Sequence, residues 1–140
     1  FLDTLFTTLS DEGNQAISVP LIPMKEEAIV QLRNIEFEFN SYLLKEDSYE
    51  ELKQVAELMR QNPNLCIELS AHTDDIGSAE YNLRLSQKRG ESVARFLIEE
   101  GIAANRLSSK GYGKTRPLVP NDSEANRAIN RRVEFTIVKL

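Results

Sequence analysis

One cysteine, one histidine and no tryptophan occur in the 140 residues, and each scarcity removes a class of function. A single thiol, Cys66, forms no internal disulfide and no cysteine cage for a metal. Set within Leu65-Cys66-Ile67-Glu68-Leu69, it reads as a packed thiol in a strand. A single imidazole, His72, falls short of the three protein ligands, histidine prominent, of a catalytic zinc site. His72 is expected on the open face of a sheet, donating to a neighbouring backbone group. No serine sits in a glycine-flanked nucleophile turn, and nothing near Cys66 would activate it. Asp74 and Asp75 are adjacent, so in an extended segment they point to opposite sides and do not face one another across a glycosidic bond. The expectation is a protein that is not an enzyme and needs no cofactor or metal. No apolar run approaches the roughly 20 residues of a spanning helix. Beginning at Phe1, the chain is read as a fragment or mature product, so that any targeting or anchoring segment would not be seen in it.

The formal net charge of −5 conceals an asymmetry. Residues 1–100 carry 9 basic and 19 acidic groups, and residues 101–140 carry 8 basic and 3 acidic groups. A nucleic-acid binder shows a dominating basic face. This field repels a polyphosphate, so no nucleic-acid partner is expected. A ligand bearing both signs of charge suits the distribution better.

Residues 1–29, punctuated by Ser10-Asp11-Glu12-Gly13-Asn14, Pro20 and Pro23, are assigned to an N-terminal extension or linker, and residues 30–140 to one domain. Three segments alternate with period two, as strands with one buried face do: Ile35-Phe37-Phe39, Leu65-Ile67-Leu69-Ala71 and Val133-Phe135-Ile137. A shorter strand is expected over Leu107–Tyr112, ending in a Gly111-Tyr112-Gly113 turn. Ser48-Tyr49-Glu50-Glu51 matches a capping box before a helix that Asn62-Pro63 stops. A second helix runs from Ser78–Glu80 to Glu99–Glu100 with Gly101 as its cap, and a third fits Ser123–Asn130. One-sided alternation in this order of elements predicts an α+β two-layer sandwich with helices on one face of the sheet.

The most informative residue is Arg89. It falls on the second helix's inward stripe, Leu85, Arg89, Val93, Phe96 and Leu97, which is otherwise apolar. Removing a charge from water costs several kcal/mol unless it is paired. The guanidinium therefore needs an anion. One reading is an internal salt bridge to Asp74 or Asp75. The other is a pocket in which Asp74 receives an ammonium and Arg89 forks onto a carboxylate, as a zwitterionic amino-acid group would require. If the first two strands are parallel, Asn40 and Asp74 end them at one sheet edge, where ligands favour such sheets.

The stretches HTDDIGSAEYNLRLSQKRGESV, GIAANRLSSKGYGKTRP and NRAINRRVEF, together with FEFNS, resemble the OmpA C-terminal (OmpA/MotB-like) peptidoglycan-binding domain from about Asn34 to Leu140. The layout is similar to domains of Bacteroidetes-type envelope proteins. The resemblance implies a mixed four-stranded sheet and non-covalent binding of the peptidoglycan stem peptide through its diaminopimelate. It implies that Asp74 holds the ligand's ammonium and Arg89 its carboxylate. Asn82, Leu85, Phe39 and Asn40 would shape the pocket, Thr73 would fix the turn, and Arg132, rather than Arg131, would add positive charge. It places the protein on the periplasmic side of the envelope, associated with the outer membrane. An alternative keeps the fold as a protein–protein assembly module with Asp74 and Arg89 merely bridged. Another makes it a stator-type wall anchor. Ala71 and Gly90 stand where the family usually has glycine and alanine, and Asn126 where it often has glycine.

Overall fold

Four alternating segments build the sheet, and the residues facing its helix-covered side make one core. The computed structural model describes residues 24–140, so most of the extension expected over residues 1–29 lies outside the described residues. The elements are β1 (Ile29–Leu32), α1 (Tyr49–Gln61), β2 (Cys66–His72), α2 (Ala79–Glu99), β3 (Leu107–Gly113), α3 (Glu124–Asn130) and β4 (Arg132–Lys139). The spatial order is β1-β4-β2-β3. β4 runs antiparallel to both neighbours, whereas β2 and β3 are parallel and joined through α2. The sheet is therefore mixed, and β1 points the same way as β2 with β4 between them. Phe135 lies in register with both Val30 and Leu69. With Ile67, Ala71, Val133 and Ile137 they meet Leu52, Val55, Leu58, Val93 and Leu97 of the helices, and Met24 is buried with them.

Both ends of α2 follow their local signals. Ser78 caps it by accepting the Tyr81 N–H. At the other end, the Gly101 N–H donates to Ile98 O and the Ile102 N–H to Leu97 O, a Schellman motif made possible by φ +103° at Gly101.

The helix seam differs from the expected stripe. The buried line on α2 is Asn82, Ser86, Gly90, Val93 and Leu97, which places Leu85 and Arg89 on the helix flank. Small residues let α2 approach β3 closely: a Cβ on Gly111 would stand 2.2 Å from the Gln87 amide nitrogen. Gly111-Tyr112-Gly113 is thus the end of the strand, pressed against a helix, and not a free turn. The outward backbone of this edge is closed by α2 itself, since Gln87 Oε1 accepts the Gly111 N–H and Ser86 Oγ the Gly113 N–H, both at 2.9 Å. Gly90 is compatible with the family's usual alanine, because an added Cβ would rest 3.4 Å from that of Ser109.

The strand expected over Ile35–Phe39 does not form; the first strand lies earlier, at Ile29–Leu32. The cause is the expected capping box. Ser48 Oγ accepts the Glu36 N–H at 2.7 Å and donates to Glu36 O. The buried Glu51 carboxylate accepts the N–H groups of Arg33 and Asn34. These side chains draw residues 33–36 out of the sheet instead of capping α1. The chain then makes a tight loop, closed by the Phe37–Leu44 bridge, with Asn40 left-handed at φ +51°.

Candidate functional site

The loop at residues 37–44, the exit of β2, the flank of α2 and the α3–β4 junction enclose a cavity of about 860 Å³. All eight residues singled out from the sequence, Phe39, Asn40, Thr73, Asp74, Asn82, Leu85, Arg89 and Arg132, line it. Phe39 stands on the rim, 90% exposed.

The turn after β2 is self-built. Thr73 takes the Gly113 carbonyl through its N–H and donates its hydroxyl to Asp74 O. Asp74 Oδ1 accepts the Ile76 N–H at 3.0 Å, and Asn82 Nδ2 donates to Ile76 O at 2.9 Å. Asn82 is buried and orients the acidic turn from the start of α2. Two arginines one helical turn apart latch this turn from below: Arg131 Nη1 meets Asp74 Oδ2 at 2.6 Å, and Arg127 Nε meets Asp75 Oδ1 at 3.2 Å.

Arg89 is not bridged to Asp74, which overturns the salt-bridge reading. Its guanidinium lies 4.8 Å from the Phe37 ring centroid, and its Nε donates to Ser41 O at 2.8 Å. Among the described residues it forms no ion pair. Burial, the largest influence, pushes its pKa down; Tyr81 opposes it, the Arg131 charge acts with burial, and Asp74 opposes more weakly than either. An arginine held in this way, cationic but short of an anion, presents its terminal nitrogens for a carboxylate.

The two consecutive arginines divide their roles otherwise than expected. Arg132 lines the cavity but is committed: Nε to Glu134 at 2.8 Å, Nη1 to Asn130 O and Nη2 to Arg116 O. Arg131, with its second arm on Glu124 Oε2 at 2.6 Å, is the one that reaches Asp74. Strand direction decides this, since Arg132 opens β4 opposite His72 while Arg131 precedes the strand. The sequence held the Arg-Arg pair but no sign of which would face the pocket.

His72 departs from expectation as well. It is buried, stacked on Tyr112 with ring centroids 5.2 Å apart, and its Nε2 lies 3.6 Å from Glu134 Oε1 rather than on a backbone group. Burial would raise the Glu134 pKa, but the nearby His72 ring and the Arg132 guanidinium, which hydrogen-bonds to it, outweigh burial and hold the carboxyl at about 2. Cys66 is half-buried and free.

With this geometry in place, comparison with known proteins is decisive. The OmpA family matches residues 36–131. The chain belongs to the OmpA family. It is 39% identical over 115 residues to outer membrane porin F of Pseudomonas fluorescens, covering 82% of this chain but 35% of that protein. Among solved structures, the cell wall anchor of the T6SS from Pseudomonas aeruginosa superposes with a TM-score of 0.75 at 25% identity, covering 100% of this chain and 98% of the other. The peptidoglycan-associated lipoprotein of Burkholderia pseudomallei gives 0.67 at 32% identity, covering 76% and 88%. The mixed sheet with three helices is the fold of this OmpA-family domain. Among the described residues, no helix is long and apolar enough to cross a membrane.

Proposed function

We propose that this domain binds peptidoglycan non-covalently, receiving the free zwitterionic end of diaminopimelate in the stem peptide, and so anchors a larger envelope protein to the wall from the periplasmic side, in association with the outer membrane. Relatives named as a cell wall anchor and a peptidoglycan-associated lipoprotein support the polymer. The observation that carries the ligand reading is Arg89, a half-buried cation without a carboxylate, in the same cavity as the Asp74 carboxylate. A group with an ammonium and a carboxylate on one carbon supplies the anion that Arg89 lacks and brings Asp74 a cation from the ligand. Phe39 and Leu85 offer apolar surface for the methylene chain, and Asn82 keeps the Asp74 turn in place. Arg132 contributes field from a fixed position rather than a contact. Nothing in this scheme makes or breaks a covalent bond.

Co-sedimentation with purified diaminopimelate-type peptidoglycan tests it. Asp74→Asn and Arg89→Met are each expected to reduce binding by at least about tenfold, with melting temperatures near that of the parent. If either variant stays folded and binds as well as the parent, the pocket is not the binding site. Release of soluble muropeptides during incubation would instead make the domain a hydrolase.

A further inference from the structure

The pocket does not present a bare aspartate. Asp74 already holds a cation, the Nη1 arm of Arg131 at 2.6 Å, while the other arm of the same guanidinium sits on Glu124 at 2.6 Å. Asp74, Glu124, Arg89 and Arg131 all line one cavity, two carboxylates against two guanidinium groups. The remaining charges there are mostly closed on themselves, Lys45 with Glu36 and Arg132 with Glu134, with Arg33 exposed.

We propose that Arg131 is an internal stand-in for the ligand's ammonium, and that its displacement from Asp74 makes the pocket select an amino-acid head carrying both charges over a bare amine. The proposal rests on the anchoring reading and deepens it. An incoming ammonium must take the oxygen that Arg131 occupies. Arg131 need not leave, because its grip on Glu124 gives it a pivot; it lets go of Asp74 with one arm. That arm then lacks an anion beside Arg89, which already lacks one. A ligand whose ammonium carries a carboxylate on the same carbon satisfies both guanidinium groups and leaves the cluster neutral. The side chain of lysine, an amine alone, adds a positive charge and offers the released arm nothing. Such a cluster discriminates by leaving the wrong ligand's surroundings unpaired.

The Glu124 contact, the largest influence on Arg131, raises its pKa, while that of Arg89 is lowered chiefly by burial, with the Arg131 charge acting in the same direction. Both directions agree with a cation poised between two carboxylates and repelled by its neighbour. The Arg131 side chain is 38% exposed, so it has room to swing.

Calorimetric titration with two muropeptides, identical except for meso-diaminopimelate or L-lysine at the third position, tests the idea. The parent is expected to prefer the diaminopimelate form by at least about tenfold, and Arg131→Gln to narrow the ratio to within about threefold, chiefly by tighter binding of the lysine form. Arg131→Lys, which keeps the charge, is expected to restore part of the preference. Glu124→Gln removes the pivot, fastens Arg131 to Asp74 and weakens diaminopimelate binding severalfold. An unchanged ratio in Arg131→Gln overturns the proposal. So does loss of the diaminopimelate form without gain of the lysine form, which would make Arg131 a simple ligand contact. Should Arg131→Gln fail to fold, the ratio in Arg131→Lys and the affinity of Glu124→Gln decide. A parent that binds neither probe sinks the anchoring reading and this one together. Binding that needs Asp74 and Arg89 but ignores Arg131 sinks this one alone.

Discussion

Two half-buried arginines on this domain have opposite surroundings. Arg106 donates Nε to Leu65 O at 3.0 Å and Nη2 to the carbonyls of Met59 and Asn62 at 2.7 Å each. It thereby closes the C-terminal end of α1, where carbonyls are unsatisfied and the helix dipole is negative. Arg89 has one carbonyl and one ring face. Both are charges partly removed from water, yet only the first is repaid by its own fold. Burial of an arginine therefore does not mark a site; burial without full satisfaction does.

The sharpest way to break this contrast is to truncate both. Arg106→Ala removes the side-chain donor from three main-chain carbonyls, of which those of Met59 and Asn62 each keep one backbone N–H, and is expected to cost about 2 kcal/mol of unfolding free energy, measured by urea denaturation. Peptidoglycan binding per folded molecule should stay close to that of the parent. A loss of less than about 1 kcal/mol would mean that water replaces the guanidinium cheaply.

Arg89→Met should do the reverse. Removing a partly desolvated cation that lacks an anion relieves a penalty, so stability is expected to hold within about 1 kcal/mol. Affinity for a diaminopimelate muropeptide should fall by about 100-fold, about 2.7 kcal/mol. A large stability loss with binding retained would assign Arg89 to the same structural class as Arg106. In that case the Ser41 carbonyl, not a ligand, would be its purpose.

Much of this was legible where signals are local. Alternation at Ile67-Leu69-Ala71 and Val133-Phe135-Ile137 gave strands because each side chain reports its own face. Ser78 and Gly101 bounded α2 because caps act within one turn. The equally regular Ile35-Phe37-Phe39 failed because the Glu36 backbone is claimed by Ser48, twelve residues away, which no periodicity records. The seam of α2 was misplaced for a related reason. Ser86 and Gly90 are buried for their smallness against β3, while hydrophobicity favours Leu85. At the site, Asp74 and Arg89 were recognisable by charge within a single motif, and the structure gathers them in one cavity. Their real partners were not: Arg131 meets Asp74 from 57 residues away, and Ser41 meets Arg89 from 48.

Arg132 offers the finest test of the contrast, since it lines the cavity yet is satisfied like Arg106 by Glu134 and two carbonyls. The Glu134 carboxyl is held at about 2, below its ordinary 4.5. A carboxylate with a depressed pKa contributes stability that is complete above the unfolded value and is lost as pH falls through the folded one. The contribution should therefore be whole above pH about 4.5 and fade toward pH about 2. It amounts to about 2 kcal/mol once solvent screening of a half-buried group is allowed for. Glu134→Gln should lower stability at pH 7 by about that much and flatten the acid limb between those values, as followed by thermal unfolding across pH. Diaminopimelate binding at pH 7 should change by less than about threefold. If binding instead collapses with Glu134→Gln, the released Arg132 competes in the pocket, and the line between structural and ligand-facing arginines runs elsewhere.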